Sequence, residues 1–417
     1  QEFLNEVRNE LALQINMIPE DWNPHKKWEF IKVAIRSIFI QVNNKYVRAR
    51  NLQIKYFEDE INLLVKIHSE AIANGKSEDE INRIQRDLEF VREEYNPTLE
   101  EYTKTLANRA RMKWTELGEK NSKYFLNLLN RNRQRSYINS LFDDQGNEVF
   151  TTNEKLEVAS SFYKELYDYK EETIEPEEFL EDIQTPRLSQ EELNELNTPI
   201  TYDELKRTLK QLTDSAPGPD GIPYSVYDKL WDLIGNMFIA SWEYSRHTGR
   251  MAEESLTSTI TLLEKQGKDK RYMNNLRPIT LTNCDTKLIT RTYSDRLKKI
   301  LPRIIHRSQT AYVKDRQVHD NLNYIDMYRK YCERNGMEGL LVSLDAKKAF
   351  DSVSHKYIKA VLRKYGFSEE FIEVFQLLYR DIKAEVMING YRSTVFKILR
   401  SVKQGDSLSC ALFILCM

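Results

Sequence analysis

The run Leu340-Leu341-Val342-Ser343-Leu344 constrains the fold of this chain more than any other segment. Nearly continuous apolar character over so short a stretch predicts a strand buried on both faces, because a half-buried strand would alternate apolar and polar residues. The run stops at Asp345, so the predicted strand delivers a carboxylate to the edge of a sheet on a rigid element. That carboxylate has two readings. It can cap the short helical turn that follows, or it can hold a hard cation such as Mg²⁺, which prefers oxygen ligands and substrate phosphates.

The surrounding pattern is mixed. Ser258–Leu263 is rich in β-formers, Arg277–Leu281 is a second short strand, and 384–398 is a hairpin closed by Asn389-Gly390. Helices are predicted over 199–212, 224–244, up to about Ile304, and across 354–380. Strands and helices in this order, without regular βαβ alternation, indicate an α+β fold. Ser215-Ala216-Pro217-Gly218-Pro219-Asp220-Gly221 is a rigid turn, its prolines presetting φ.

Upstream the chain is helical and charged. Ile54, Phe57, Ile61, Leu64 and His68 form one seam, and Ile81, Ile84, Leu88, Val91 and Tyr95 form another. The intervening Asn74-Gly75-Lys76-Ser77 turns the chain, so the two helices should pair antiparallel as a spacer or interaction arm. A basic stretch follows at 109–135. Its Lys120, Lys123, Arg131 and Arg133 are candidates for nucleic-acid phosphates, with a solvated helix face as the plain alternative. A hairpin is expected at 138–150, then an acidic, mostly helical connector. The acidic pair Asp143-Asp144 sits in the hairpin turn and reads as solvated rather than catalytic. The expected divisions are 1–135, 136–198 and 199–417.

Composition narrows the partners. Lys and Arg number 62 against 64 Asp and Glu, a formal net charge of −2, so any polyanion-binding surface must be local. Four cysteines without metal-ligand spacing suit a reducing compartment. No apolar run reaches the ~18 residues of a membrane span, so an intracellular protein without membrane contact is expected. The chain starts at Gln1 and stops inside the apolar run 411–417, which reads as a piece of something longer.

Six pieces stand in a telling order: SAPGPDGIP at 215–223, LLEKQGKD at 262–269, NLRPITLTNCDTKLITR at 275–291, QTAYVKDRQ at 309–317, LDAKKAFDSV at 344–353 and KQGDSLSCALF at 403–413. Together they resemble the reverse transcriptase of LINE-type, non-LTR retrotransposons, firmly over 199–417 and more loosely at 118–131. The resemblance implies an RNA-directed DNA polymerase, with part of a right-hand fold (fingers and an incomplete palm) behind a helical N-terminal arm. It implies that Asp345 is the first catalytic aspartate, a ligand of two Mg²⁺ ions. Lys265 and Arg277 would meet the incoming triphosphate. Ala346 and Phe350 would lie at the nucleotide, Phe350 as the gate under the sugar. Gln404 and Gly405 would pack on the nascent base pair. Arg291, Arg296 and Arg316 would track template phosphates, or pair with nearby acids. Implied partners are an RNA template, a DNA primer and dNTP, with further palm, thumb and endonuclease domains elsewhere in the polyprotein. A nuclear location and a cytoplasmic ribonucleoprotein would follow. The family's remaining aspartate pair is expected after the Gln404 motif, so this stretch alone is expected to be inactive. The alternative is a non-catalytic RNA- or DNA-binding remnant of a truncated element.

Overall fold

The computed structural model describes residues 2–109, 137–171 and 173–417. Lys120, Lys123, Arg131 and Arg133 lie outside the described residues. The chain divides into two units, one of residues 1–14 and 34–137 and the other of 15–33 and 138–417.

The first unit is the expected helical hairpin, made by the helices Pro24–Ala73 (from residue 34 on) and Glu78–Arg109. Phe57, Leu88 and Val91 are buried along the predicted seams, and Phe57 meets Tyr95 with ring centroids 5.6 Å apart. Ser77 Oγ accepts from Glu80 N at 3.4 Å and so caps the second helix, while the Glu80 carboxylate takes Lys76 Nζ at 2.9 Å.

The second unit is mixed helix and sheet. A small hairpin, β1 (Leu141–Phe142) and β2 (Glu148–Val149), turns at Asp143. The Asp143 carboxylate accepts from Gln145 N at 2.9 Å and from Asn147 N at 2.7 Å. These donors, Asn147 foremost, hold its pKa low, and the acidic pair is a turn as expected. The main sheet has five strands: β3 (Thr257–Glu264), β4 (Leu276–Leu281), β5 (Lys383–Ile388), β6 (Tyr391–Arg392) and β7 (Phe396–Lys397). Their order is β4-β3-β5-β6, with β7 also on β5. β3 runs antiparallel to β4 and parallel to β5. Asn389 and Gly390 both take positive φ, 54° and 89°, as a tight two-residue turn requires.

Behind the sheet, helices Tyr202–Gln211, Tyr224–Thr248, Cys284–Ile304 and Ser407–Cys416 form the core, with Leu205, Trp231, Ile234, Leu297 and Leu412 almost wholly buried. Residues 15–33 join this core. Trp28 packs on Phe238 at 5.0 Å and donates its indole N–H to Asp285 Oδ2 at 2.9 Å. The Lys32 ammonium is 1% exposed and lies 3.3 Å from Asp285, 3.2 Å from Glu254 and 3.8 Å from Asp220. Burial alone would lower its pKa, but the Asp285, Asp220 and Glu254 carboxylates outweigh that and raise it. Burial, with Asp285 beside it, pushes Asp220 up. This buried cluster ties the turn at 215–221 to the start of helix Cys284–Ile304. Gly218 is obligatory there, because a Cβ would fall 2.4 Å from Asn283 N.

Two expectations fail, and two arginines take the structural of their two readings. The segment 340–344 is not a buried strand: it is irregular, unpaired among the described residues, and exposed, Leu340 and Leu344 each at 90%. An apolar strand is buried only where another strand and a covering layer receive it, and no described strand pairs with this one. The helix expected over 354–380 is two helices, His355–Lys364 and Glu369–Tyr379. Gly366 at φ 79° ends the first and Ser368 caps the second, accepting from Phe371 N at 3.2 Å. Arg296 and Arg316 serve the fold. Arg296 pairs with Glu204 at 2.6 Å and donates to the carbonyls of Leu196 and Thr198. Arg316 donates to the carbonyls of Pro302, Ile305, His306 and Gln309, closing the open end of helix Cys284–Ile304.

His355 supplies a pH prediction. Its ring is buried against Phe375 and Tyr379, and Nε2 lies 2.9 Å from the Ser401 carbonyl. Burial lowers its pKa to about 4 from 6.5, with Lys403 and Lys359 adding to the effect and the Ser401 carbonyl opposing it. The folded state therefore keeps His355 neutral, and its share of stability is present above pH 6.5 and lost as pH falls toward 4. The loss should be on the order of 3 kcal/mol. Chemical denaturation of the chain and of His355→Gln at about pH 7 and near the lowered pKa checks it. Equal acid sensitivity in both proteins would refute the assignment.

Candidate active site

Three cations converge on one pocket. Lys265 follows the end of β3, Arg277 sits on β4, and Lys348 stands in the turn after Asp345. With Asp351, Gln404 and a wall of Phe162 and Tyr163, they line a cavity of about 210 Å³. The β3–β4 pairing explains the first two. Leu263 is opposite Arg277 in register, and Lys265 N donates to Asn275 O at 3.0 Å, so both cations project from the same end of one ribbon. Lys265 Nζ also donates to Asn274 O at 2.7 Å, which fixes the stem but leaves further donors. Arg277 is exposed, and its side chain makes no hydrogen bond or ion pair among the described residues. A larger cleft of about 620 Å³, between helices Tyr224–Thr248 and Glu369–Tyr379, mixes Arg246 and Arg380 with Glu243, Glu370 and Glu373 and holds none of the predicted site residues.

Sequence alone does not single out Lys348. Its φ of 53° is a left-handed conformation that costs a non-glycine residue ~1 kcal/mol, and it brings Nζ 4.2 Å from the Phe162 ring centroid. Burial lowers its pKa, opposed by Asp351 and reinforced by Lys347 and Lys265. Phe162 and Tyr163 come from helix Thr152–Leu166, inside the predicted acidic connector. A Thr151–Glu154 capping box starts that helix.

The floor of the pocket is a polar network. Gln404 Nε2 donates to both Asp351 oxygens at 3.0 Å, and Tyr167 Oη donates to Asp351 Oδ1 at 3.2 Å. Burial raises the Asp351 pKa, while Tyr167, Gln404, Lys348 and Lys265 oppose the rise. Asp351 supports the fold rather than facing solvent. Thr280 N donates to Gln404 O at 2.9 Å, and a Cβ on Gly405, at φ 108°, would lie 3.2 Å from Thr280 O. Gly405 thus permits a close backbone approach, here to β4.

The other predicted residues lie outside this pocket. Asp345 and Ala346 are exposed on the irregular segment that follows 340–344. Phe350 is half-buried and stacks on Phe413 at 4.4 Å. Arg291 pairs with Asp295 at 2.9 Å. Among the described residues no three His, Cys, Asp or Glu side chains group to hold a metal ion. Two Mg²⁺ ions need more than one carboxylate, so the described residues do not fit a two-metal site.

Residues 263–417 match the family described as reverse transcriptase (RNA-dependent DNA polymerase). The chain is 30% identical over 309 residues to the transposon TX1 uncharacterized 149 kDa protein of Xenopus laevis, covering 73% of this chain and 23% of that protein. It is 28% identical over 233 residues to the retrovirus-related Pol polyprotein of retrotransposable element R2DM of Drosophila melanogaster, 52% of this chain and 20% of the relative. An R2 Pol polyprotein of Popillia japonica is also 28% identical, over 52% of this chain and 29% of its own length. The chain carries a non-LTR retrotransposon reverse transcriptase domain. It spans between a fifth and three-tenths of the length of these curated relatives. The pocket draws on residues inside the matched reverse transcriptase region, Lys265, Arg277, Lys348, Asp351 and Gln404, and on Phe162 and Tyr163 ahead of it.

Proposed function

We propose that the chain is the nucleotide-binding part of an RNA-directed DNA polymerase of a non-LTR retrotransposon, which extends a DNA primer on an RNA template. One observation carries this reading: Lys265, Arg277 and Lys348 converge on a single pocket above Gln404. Lysine contributes a point charge and arginine a planar fork, a combination suited to the oxygens of a triphosphate. Gln404 and Gly405, laced to β4, would form a firm surface beneath the nascent base pair. Phe350 would stand under the sugar, its ring braced by Phe413. The β3–β4 ribbon belongs to the fingers and the β5 hairpin to the palm in this reading.

Mg²⁺ would supply charge stabilisation of the transferring phosphate in the complete enzyme. Asp345 is this chain's candidate ligand, and further carboxylates would have to come from outside the described residues. On that account the chain binds a deoxynucleoside triphosphate without incorporating it. Lys120, Lys123, Arg131 and Arg133 remain the proposed template contacts, and a nuclear and ribonucleoprotein location remains a proposal with them. Equilibrium binding of dTTP to the chain and to a variant lacking the three pocket cations tests the central point.

A further inference from the structure

Gln404 is held from two sides and its holder is held in turn. Its backbone carbonyl accepts from β4, and its side-chain amide donates to Asp351, which also accepts from Tyr167. Asp351 is 4% exposed and Tyr167 3%. A carboxylate so placed is costly unless its lone pairs are filled, and these donors fill several of them. An ionised carboxylate only accepts, so the Gln404 amide must turn its NH₂ toward Asp351 and its Oε1 away. A half-turn of the amide would set two acceptors against each other. Tyr167 is itself fixed, its ring stacked on Tyr163 at 5.8 Å and its carbonyl accepting from Leu399 N at 2.9 Å.

We infer that Tyr167 and Asp351 are positioning residues for Gln404, and that together they fix the acceptor the pocket offers to the nucleoside part of a bound nucleotide. Tyr167 lies well ahead of the matched region at 263–417, so a segment outside it completes the pocket. The inference rests on reading the pocket as a triphosphate site. The phosphates would be held by the cations and the nucleoside would be read by Gln404, so the two halves of the ligand report separately.

The test compares dTTP with inorganic tripolyphosphate on the full chain. Tyr167→Phe removes one hydroxyl and keeps the stacked ring. It should weaken dTTP by about tenfold, the scale of one lost hydrogen bond to a charged group, and leave tripolyphosphate unchanged. In a Gln404→Ala background the same change should have no further effect on dTTP, because a residue acting through Gln404 has nothing left to act on. The exchange of the Gln404 side-chain amide protons, followed by NMR, should be slow in the unaltered chain and fast in Tyr167→Phe. Equal weakening of both ligands, a full loss in the Gln404→Ala background, or unchanged amide exchange would overturn the relay. Failure of the unaltered chain to bind either ligand would overturn the triphosphate reading, and with it the nucleotide role inferred here, whatever the amide exchange showed.

Discussion

Lys32→Met should unfold the second unit at markedly lower denaturant, with a loss of about 3–5 kcal/mol. Methionine keeps most of the volume, so the loss measures charge rather than a cavity. Lys32 is the cation at the centre of Asp220, Asp285 and Glu254, and the two aspartates are nearly as buried as the ammonium. Removing it leaves buried negative charge compensated only by the Trp28 indole, the Thr286 hydroxyl and local backbone donors. The change also releases Asp220, which would free the turn at 215–221 from residues 15–33. Fluorescence of Trp28, Trp231 and Trp242, all buried, reports the transition. Asp285→Asn in the Lys32→Met background should recover part of the loss by deleting the carboxylate that its donors hold ionised, whereas Asp220, already pushed up by burial, can take a proton. A loss under ~1 kcal/mol, or no recovery in the double variant, would show that the cluster does not brace the fold.

Replacing Lys265, Arg277 and Lys348 together by Gln should weaken dTTP binding by roughly a hundredfold to a thousandfold. Each charge-assisted hydrogen bond to phosphate is worth about 1.5–3 kcal/mol when shielded and less when exposed. Arg277 is exposed and Lys265 and Lys348 are only half-buried, so the combined effect falls short of the full sum. Lys348 also packs over the Phe162 ring and Lys265 holds the Asn274 carbonyl, so a small loss of stability is expected and chemical denaturation of the variant is measured beside binding. The dependence of binding on salt should also flatten, since fewer cations meet the phosphates. A loss below about threefold would place the triphosphate elsewhere.

The ordered motifs point to Lys265, Arg277 and Gln404, which the structure brings to one pocket, and the β3–β4 ribbon that carries the first two is written in local β-forming residues. The Asn389-Gly390 turn and the helical seams were legible for the same reason, as local pattern specifies them. The segment 340–344 misled because an apolar run records a capacity for burial and says nothing of whether a partner strand is there. Arg296 and Arg316 were left between two readings because sequence does not show whether a cation is buried against Glu204 and nearby carbonyls, as Arg296 is, or closes a helix end from a loop, as Arg316 does. Lys32, Tyr163 and Tyr167 left no signal. A lysine in an amphipathic helix and two tyrosines four apart in an acidic helix are ordinary, and their partners Asp220, Asp285 and Asp351 are distant in sequence. The break at Gly366 and Ser368 was readable, as glycine ends helices and serine begins them, but the apolar periodicity on either side concealed it.

The most direct test of the triphosphate site is to label it. A nucleoside triphosphate carrying an aldehyde on its terminal phosphate forms an imine with a nearby lysine, and borohydride reduction makes the bond permanent. Peptide mapping should find the label on Lys265 and Lys348, with dTTP competing it away. Label spread over other lysines, or label that dTTP does not displace, would contradict the account.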